Sequence, residues 1–272
     1  MIEVALLQLR TPASQAAALE HAAPLVRRAA DRGATLIVTP EGSNLLQRNR
    51  ALLFESLAPV DSDPAVIGFR ALAAELKVWI LIGSAMVKRE DGKAANRSIL
   101  IDREGAIIAT YDKLHMFDVD LPSGDRYRES ATFEPGARAV IAEAAGAKIG
   151  LTVCYDIRFP ALHRALARSG AEIITVPAAF TRPTGAAHWE ILLRARAIET
   201  GCWVLAPAQG GTHEDGRETW GRSMIVSPWG EVVALADHDE PCVLTASLDL
   251  EAVSAARASI PALVNERAFT GP

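Results

Sequence analysis

The sequence predicts an α/β fold of alternating strands and helices, and three observations carry that prediction. Short β-branched runs such as "ATLIVTP" and "AEIITVP" are apolar throughout, as strands covered on both faces must be. Helical patterns with recognisable start and stop residues separate them. The order of elements then repeats in the second half of the chain, although the letters do not. Two β-α-β-α-β units, each followed by a hairpin, give one mixed sheet or two facing sheets with helices outside.

Residues 2–9 alternate and then run apolar, which is a first strand. "SQAAALEHAAPLVRRAADRG" follows as a helix, with Leu19, Leu25 and Val26 on one face and Gly33 as its stop. "ATLIVTPEG" is the next strand. Residues 63–77 form a helix with Asp63 as N-cap and Pro64 at its first position. "VWILIGSAMV" is a strand, and "NRSILIDREGAIIATYDK" a hairpin turning at Arg103-Glu104-Gly105. In the second half "AKIGLTVCYD" reads as a strand, and "RFPALHRALARSG" as a helix ending at Gly170. "AEIITVPAAF" is a strand and "AAHWEILLRARAIETG" a helix ending at Gly201. "CWVLAPAQ" is a strand, and "RSMIVSPWGEVVALAD" a hairpin turning at Trp229-Gly230. Residues 113–137 have few apolar positions and contain Pro122, Gly124 and Pro135-Gly136. A structureless stretch of that length inside a compact domain is either functional or misread.

No Ser/Gly-rich or Pro-rich linker interrupts the 272 residues, so a single domain over 1–272 is expected. The net charge of −5 argues against a general affinity for nucleic acid, and Arg27-Arg28 sits on a solvated helical face. No apolar run approaches the roughly 20 residues of a membrane span. "MIEVALLQLR" has neither a basic n-region nor a small-residue cleavage site, and reads as a strand rather than a signal peptide. Three cysteines without CxxC spacing fit free thiols in a reducing compartment, so a cytoplasmic location and no zinc site are expected. No GxGxxG follows a strand, which leaves a dinucleotide-binding enzyme unsupported.

Layered α/β folds bind ligands beyond the carboxyl ends of their strands. There "TLIVTP" delivers Glu41, "AIIATYD" delivers Lys113 and "IGLTVC" delivers Cys154. Each alone has an ordinary explanation: a solvated glutamate after Pro40, a surface lysine, a packed cysteine. Together, a carboxylate, an ammonium and a thiol complete an acyl-transfer site. A thiol attacks as thiolate, and its pKa falls beside a cation. A carboxylate can take the thiol proton and return it to the leaving amine. An ammonium and a backbone N–H can hold the developing oxyanion, one such donor being worth about 3 kcal/mol. Cys202 opens a strand and Cys242 follows Pro241 in a late hairpin region; neither has such partners, and both read as structural.

The residues then resemble a family. "PEG" at 40–42, "YDKLHMFD" at 111–118 and "GLTVCYDIRFP" at 150–160 are similar to the three motif segments of the nitrilase (carbon–nitrogen hydrolase) superfamily. "ESATFEPG" (129–136), "PAAFTRPTGAAHWEILLRARAIET" (177–200) and "WGRSMIVSPWGEV" (220–232) resemble its amidase branch, which contains omega-amidase and the deaminated-glutathione amidases. The resemblance covers nearly the whole chain, only the tail "RASIPALVNERAFTGP" being loosely similar. It implies an α-β-β-α sandwich and a homodimer packed into a four-layer stack. It also implies that Cys154 is the nucleophile, Glu41 the general base and acid, and Lys113 the cation at the oxyanion. Glu129 would orient Lys113 and the leaving group, and the Tyr155 N–H would complete the oxyanion hole. The long loop would thus carry both Lys113 and Glu129, with no metal and no organic cofactor.

The implied reaction is hydrolysis of a primary carboxamide through a thioester, releasing an acid and ammonia. The expected partner is a small amide bearing a carboxylate: deaminated glutathione or another α-keto acid ω-amide. Arg158, Phe180 and Thr184 are the candidates for holding that carboxylate end, against the alternative that Arg158 forms a buried ion pair with Asp156 or another carboxylate. His188 reads as a structural hydrogen-bonder, and Trp220 and Trp229 as packing residues. Ala161, Arg222 and Ser227 stand where relatives often carry Glu, His, and Asp or Asn, which leaves the particular amide open. A nitrilase or N-carbamoyl amino acid amidohydrolase on the same fold is the nearest rival. A non-catalytic scaffold predicts loss of Glu41, Lys113 or Cys154, and all three are present. A papain-like Cys–His hydrolase places its cysteine at a helix start near the N-terminus, not mid-chain.

Overall fold

The structure, a computed structural model, describes residues 1–121 and 124–271; Pro122 of the long loop lies outside the described residues. The first half runs β1 (Ile2–Gln8), α1 (Gln15–Asp31), β2 (Leu36–Val38), α2 (Arg50–Ser56), α3 (Pro64–Leu76), β3 (Trp79–Lys88), β4 (Ala94–Ile101) and β5 (Ile107–Asp112). A small hairpin, β6 (Asp118–Asp120) and β7 (Arg126–Arg128), leads into the second half. That half runs β8 (Val140–Ala144), β9 (Ala147–Leu151), α4 (Pro160–Arg168), β10 (Ile173–Thr175), α5 (Arg182–Thr200) and β11 (Trp203–Ala206). The hairpins β12 (Gly210–Thr212) with β13 (Glu218–Trp220) and β14 (Met224–Val226) with β15 (Val232–Leu235) come next, then β16 (Cys242–Leu248) and α6 (Glu251–Ser259).

The strands form two six-stranded sheets, ordered β16-β1-β2-β3-β4-β5 and β15-β14-β11-β10-β9-β8. β1, β2 and β3 are parallel, as are β9, β10 and β11, so the doubled element order becomes two facing sheets. Alternation within the apolar runs decides the layering. Val4, Leu6, Val38, Leu81 and Leu100 of the first sheet share one core with Ile149, Leu151, Ile174 and Leu205 of the second. The intervening Ala5, Leu7, Ile37, Ile80 and Ile82 face Val26 of α1 and Phe69 of α3. On the far side, α4 and α5 cover the second sheet through Leu162, Leu166, Trp189 and Leu193. The result is the α-β-β-α order, four layers within one chain. No helix among the described residues is long and apolar enough to cross a membrane.

Local chemistry sets the element ends. Asp63 Oδ1 accepts the Ala65 and Val66 N–H groups at 2.9 and 3.0 Å, capping α3. Gly83, inside β3, is required by proximity: a Cβ there would lie 1.9 Å from the Thr39 carbonyl oxygen and 2.4 Å from Pro177 Cβ. The segments leading to Glu41 and Ala179 can therefore meet across the sandwich.

Four boundaries differ from the sequence reading. β9 stops at Leu151, and Cys154 opens a 3₁₀ turn, Cys154–Arg158, rather than ending the strand. α5 starts at Arg182, four residues before Ala186, because Pro183 already occupies its first turn; His188 thus sits in the second turn. Part of 113–137 is ordered by β6 and β7. β16 is a full strand paired antiparallel with β1, from Ile2↔Leu248 to Gln8↔Cys242, not a hairpin region. Its local alternation is weak, and the pairing partner lies at the other end of the chain.

Candidate active site

β2, β3 and β5 point the same way in the first sheet, so Glu41, beyond β2, and Lys113, immediately after β5, leave from its carboxyl edge. Cys154 leaves the corresponding edge of the second sheet beyond β9, and Glu129 opens a 3₁₀ turn directly after β7. The four side chains meet at the floor of one cavity of about 820 Å³.

Lys113 is the centre of the arrangement. Its Nζ donates to Glu41 Oε1 at 3.0 Å and to Glu129 Oε1 and Oε2 at 2.9 and 2.8 Å. Asn96 Nδ2, from β4, donates to the same two oxygens, Glu41 Oε1 at 2.8 Å and Glu129 Oε1 at 3.2 Å. Two nitrogens and two carboxylate oxygens thus alternate around a closed ring. The remaining oxygens are also engaged: Glu41 Oε2 accepts the Ala179 N–H at 2.9 Å and Glu129 Oε2 the Phe117 N–H at 2.6 Å. Desolvating an ion costs several kcal/mol, so an ammonium only 2% exposed requires this complement of partners. Asn96 was not legible as a site residue, being one polar letter inside the strand "AANRSILI". Its Oδ1 is buried and unpartnered among the described residues.

The charges order the protonation states. Burial pushes the Glu41 carboxyl upward, but Lys113, the Cys154 thiol and Asn96 outweigh it and hold it below the ordinary carboxylate range. Burial pushes Lys113 down, and Glu129 and Glu41 overcome that, keeping it an ammonium well above its usual range. Burial raises the Cys154 thiol, Glu41 adds to the effect, and Lys113 only partly opposes them, so it lies well above a free thiol. The lysine lowers the thiol as expected, but burial and Glu41 outweigh it. With the thiol raised and the carboxyl lowered, the resting pair is a neutral Cys154 S–H beside an ionised Glu41.

The cysteine also has an unusual backbone. Its φ is +50°, the left-handed region, which costs a side-chain-bearing residue roughly 1–2 kcal/mol. Buried Asp156 holds the turn in place. It accepts the Val153 N–H at 2.9 Å, the Tyr111 hydroxyl at 2.6 Å and the His115 N–H at 3.1 Å. The Cys154 N–H itself donates to the Pro177 carbonyl at 2.9 Å. Tyr111 and His115 flank Lys113 in sequence, so Asp156 couples the lysine segment to the cysteine turn. The His115 ring stacks on Phe159 at 3.5 Å.

Of the other sequence candidates, Tyr155, Phe180 and Thr184 line the cavity. Arg158 does not. Its guanidinium lies 5.8 Å over the Tyr155 ring and 5.5 Å over Phe180, with Nη1 and Nη2 3.3 and 3.2 Å from His188 Nδ1. Nor does it pair with Asp156, whose oxygens serve the turn. Arg158 therefore braces aromatic side chains, and His188 is its hydrogen-bond partner. Trp220 packs so tightly on α5 that a Cβ at Gly185 would sit 2.3 Å from its Cγ. Trp229 is 55% exposed, against the expectation of a packed residue. Ser227 Oγ accepts the Glu231 N–H at 3.2 Å and so holds the β14–β15 turn.

Comparison with known proteins places this geometry in context. Residues 3–258 match the carbon–nitrogen hydrolase family. The chain is 43% identical over 238 residues to the deaminated glutathione amidase of Yersinia enterocolitica, covering 86% of this chain and 82% of that protein. The C. elegans NitFhit protein superposes with a TM-score of 0.91 at 31% identity over 98% of this chain, which spans 65% of that longer protein. A mutant amidase from Nesterenkonia sp. AN1, in which acrylamide has added to the active-site cysteine, superposes with a TM-score of 0.78 at 25% identity, over 96% of this chain and 98% of that one.

Proposed function

The chain belongs to the carbon–nitrogen hydrolase family, and from that premise we propose that it is a cysteine-dependent amidase acting on an α-keto acid ω-amide, deaminated glutathione foremost. The observation that carries the reading is the convergence of Cys154, Glu41 and Lys113 on one cavity floor, with the Lys113 ammonium 3.0 Å from the Glu41 carboxylate. Glu41 takes the thiol proton as Sγ attacks the carbonyl carbon. The oxyanion is held by Lys113 Nζ and the Tyr155 N–H, where a single preorganised donor contributes about 3–4 kcal/mol. Glu41 then passes its proton to the leaving nitrogen, the C–N bond breaks and a thioester remains. Water, deprotonated by Glu41, attacks the thioester; the acid leaves and the thiol recovers its proton. Glu129 and Asn96 keep Lys113 and Glu41 in register throughout, and Phe180 and Thr184 shape the wall.

The leaving group depends on the amide. A primary amide releases ammonia, whereas the corresponding amide in deaminated glutathione is secondary and releases cysteinylglycine. A volume of about 820 Å³ falls in the roughly 300–1,000 Å³ range of sites that enclose a drug-sized ligand, which supports a substrate of that size. The same reading includes a homodimer in a reducing, cytoplasmic setting. Exposed Ile191, Ile198, Trp229, Val232, Val233 and Ile260 support the first, and three free cysteines support the second. Sedimentation velocity checks the dimer; a monomer at micromolar concentration overturns it.

The deciding experiment is a substrate comparison. Release of α-ketoglutarate from deaminated glutathione and from α-ketoglutaramate is measured beside turnover of simple nitriles and N-carbamoyl amino acids. Keto-acid amides are expected to be the best substrates. Turnover confined to nitriles or N-carbamoyl compounds would replace this reading with the rival on the same fold.

A further inference from the structure

The chain is acidic overall, with a net charge of −5, yet the cavity is cationic above its floor. Six arginines line it, and outside the floor network the lining carboxylates are Asp125 and Glu218. Four of the arginines are matched by acids. Arg126 and Arg128 reach Asp120 at 3.5 and 2.9 Å, Arg182 reaches Asp239 at 2.7 Å, and Arg217 reaches Asp215 at 3.4 Å. Arg48 and Arg50 differ, for no described residue forms an ion pair with either. They are nevertheless held. The Arg50 guanidinium lies 4.8 Å over the Phe54 ring, which fixes its plane. The Arg48 backbone N–H donates at 2.9 Å to Asp215 Oδ2, a carboxylate whose side chain is only 2% exposed. Arg48 and Tyr127 line the same cavity, and burial and the Asp125 carboxylate raise the Tyr127 phenol while Arg217 and Arg48 oppose them, so both signs of charge act on that ring.

Charge separation within the cavity then orients a ligand. The floor holds two carboxylates, one ammonium and a neutral thiol, so it repels an anion. The mouth, with two unmatched guanidiniums, attracts one. A molecule with a neutral amide at one end and a carboxylate away from it enters amide first. We propose that Arg48 and Arg50 form an anion subsite at the mouth of this cavity, binding a carboxylate that the substrate carries remote from the scissile amide. The subsite rests on the amidase reading above and supplies a recognition that Arg158, which does not line the cavity, does not. That carboxylate belongs either to the α-keto acid or to the leaving amine.

The test uses the full chain, the Arg48→Ala/Arg50→Ala double variant and three substrates: deaminated glutathione, its glycinamide, and its ester on the keto-acid side. The double variant is expected to lose about 10- to 100-fold in kcat/KM on deaminated glutathione, chiefly through KM, as bidentate guanidinium–carboxylate contacts disappear. Blocking the carboxylate that the subsite binds costs the wild type the same factor and the double variant nothing further, and the arm showing this identifies the source. In wild type, 0.5 M salt narrows the difference, since both arginines are exposed. Arg126→Ala, whose side chain is 80% exposed and paired with Asp120, retains the preference. An equal loss in Arg126→Ala, or additive losses in both blocked substrates, overturns the subsite. If wild type hydrolyses no amide, the amidase reading fails on its own. The subsite is then judged by protection of Cys154 from iodoacetamide by S-methylglutathione, expected in wild type and lost in the double variant. Equal protection in the two proteins, or none in either, overturns it.

Discussion

Cys154 and Cys202 are both buried thiols beside a cation, and burial is the first cause raising each above a free thiol. Cys202 lies 3.1 Å from Arg257 Nη2, so proximity to positive charge does not separate the two. What separates them is where they sit on their strands. Cys202 precedes β11 at its amino end, donates to the Ala171 carbonyl at 3.2 Å and does not line the cavity. Cys154 follows β9 at the carboxyl end, turns through a left-handed φ into the cavity and lies beside an ionised carboxylate, Glu41. A cation and burial leave a thiol inert; an ionised base and an open wall make it a nucleophile.

The largest expected effect breaks this comparison at once. Cys154→Ala should lower turnover by about 10⁴-fold or more with the fold intact, by circular dichroism and thermal melting. Cys202→Ala should keep turnover within about threefold and lose on the order of 1 kcal/mol of stability in denaturant titration. A folded Cys202→Ala protein without turnover would remove the distinction. Next comes the base. Glu41→Gln leaves shape and hydrogen-bonding capacity but cannot take the thiol proton, so turnover should drop about 10³-fold. Iodoacetamide alkylation of Cys154 should slow with it. Near-normal kinetics in Glu41→Gln would mean that the thiol is activated without the carboxylate. Lys113→Ala should cost about 10²- to 10³-fold in turnover through the lost oxyanion donor. It also leaves buried Glu41 and half-buried Glu129 without their shared cation, so its Tm should fall visibly. Unchanged Tm would show that the carboxylates are not held ionised by the lysine.

How much of this was readable beforehand follows from which signals are local. Glu41, Lys113 and Cys154 each directly follow an apolar run, and the rule that strand ends deliver ligands to one edge brought them together. The layering was readable too, because apolar strands without a polar face must be covered twice. The placement of Arg158 outside the cavity lining is not local information, because it follows the 3₁₀ turn that Asp156 folds, and that turn needs Tyr111 and His115 from the other half of the chain. β16 was missed because its partner, β1, stands at the opposite end of the sequence. Arg48 and Arg50 carry no motif at all. They acquire meaning only when the acids that neutralise the other arginines are located in space.

Asn96 is the subtlest member of the site, and its expected effect is the smallest and the most specific. Its Nδ2 donates to Glu41 and Glu129 at once, and the bond to Glu41 favours the charged carboxylate. Catalysis needs Glu41 ionised, so wild-type turnover persists above its depressed pKa and disappears as pH falls through it. The acid limb therefore lies below the ordinary carboxylate range. Asn96→Leu removes the donor at nearly constant volume, raises the Glu41 pKa, and should move the acid limb of kcat/KM to higher pH by about one unit, as expected for a hydrogen bond to a charged group. At neutral pH the loss should be no more than about tenfold. If Asn96 serves only as packing in β4, turnover will fall by one factor at every pH and the limb will stay where it was. A moved limb with an unchanged Tm assigns Asn96 to positioning the base, and it extends the contrast with Cys202, which has no such carboxylate to tune.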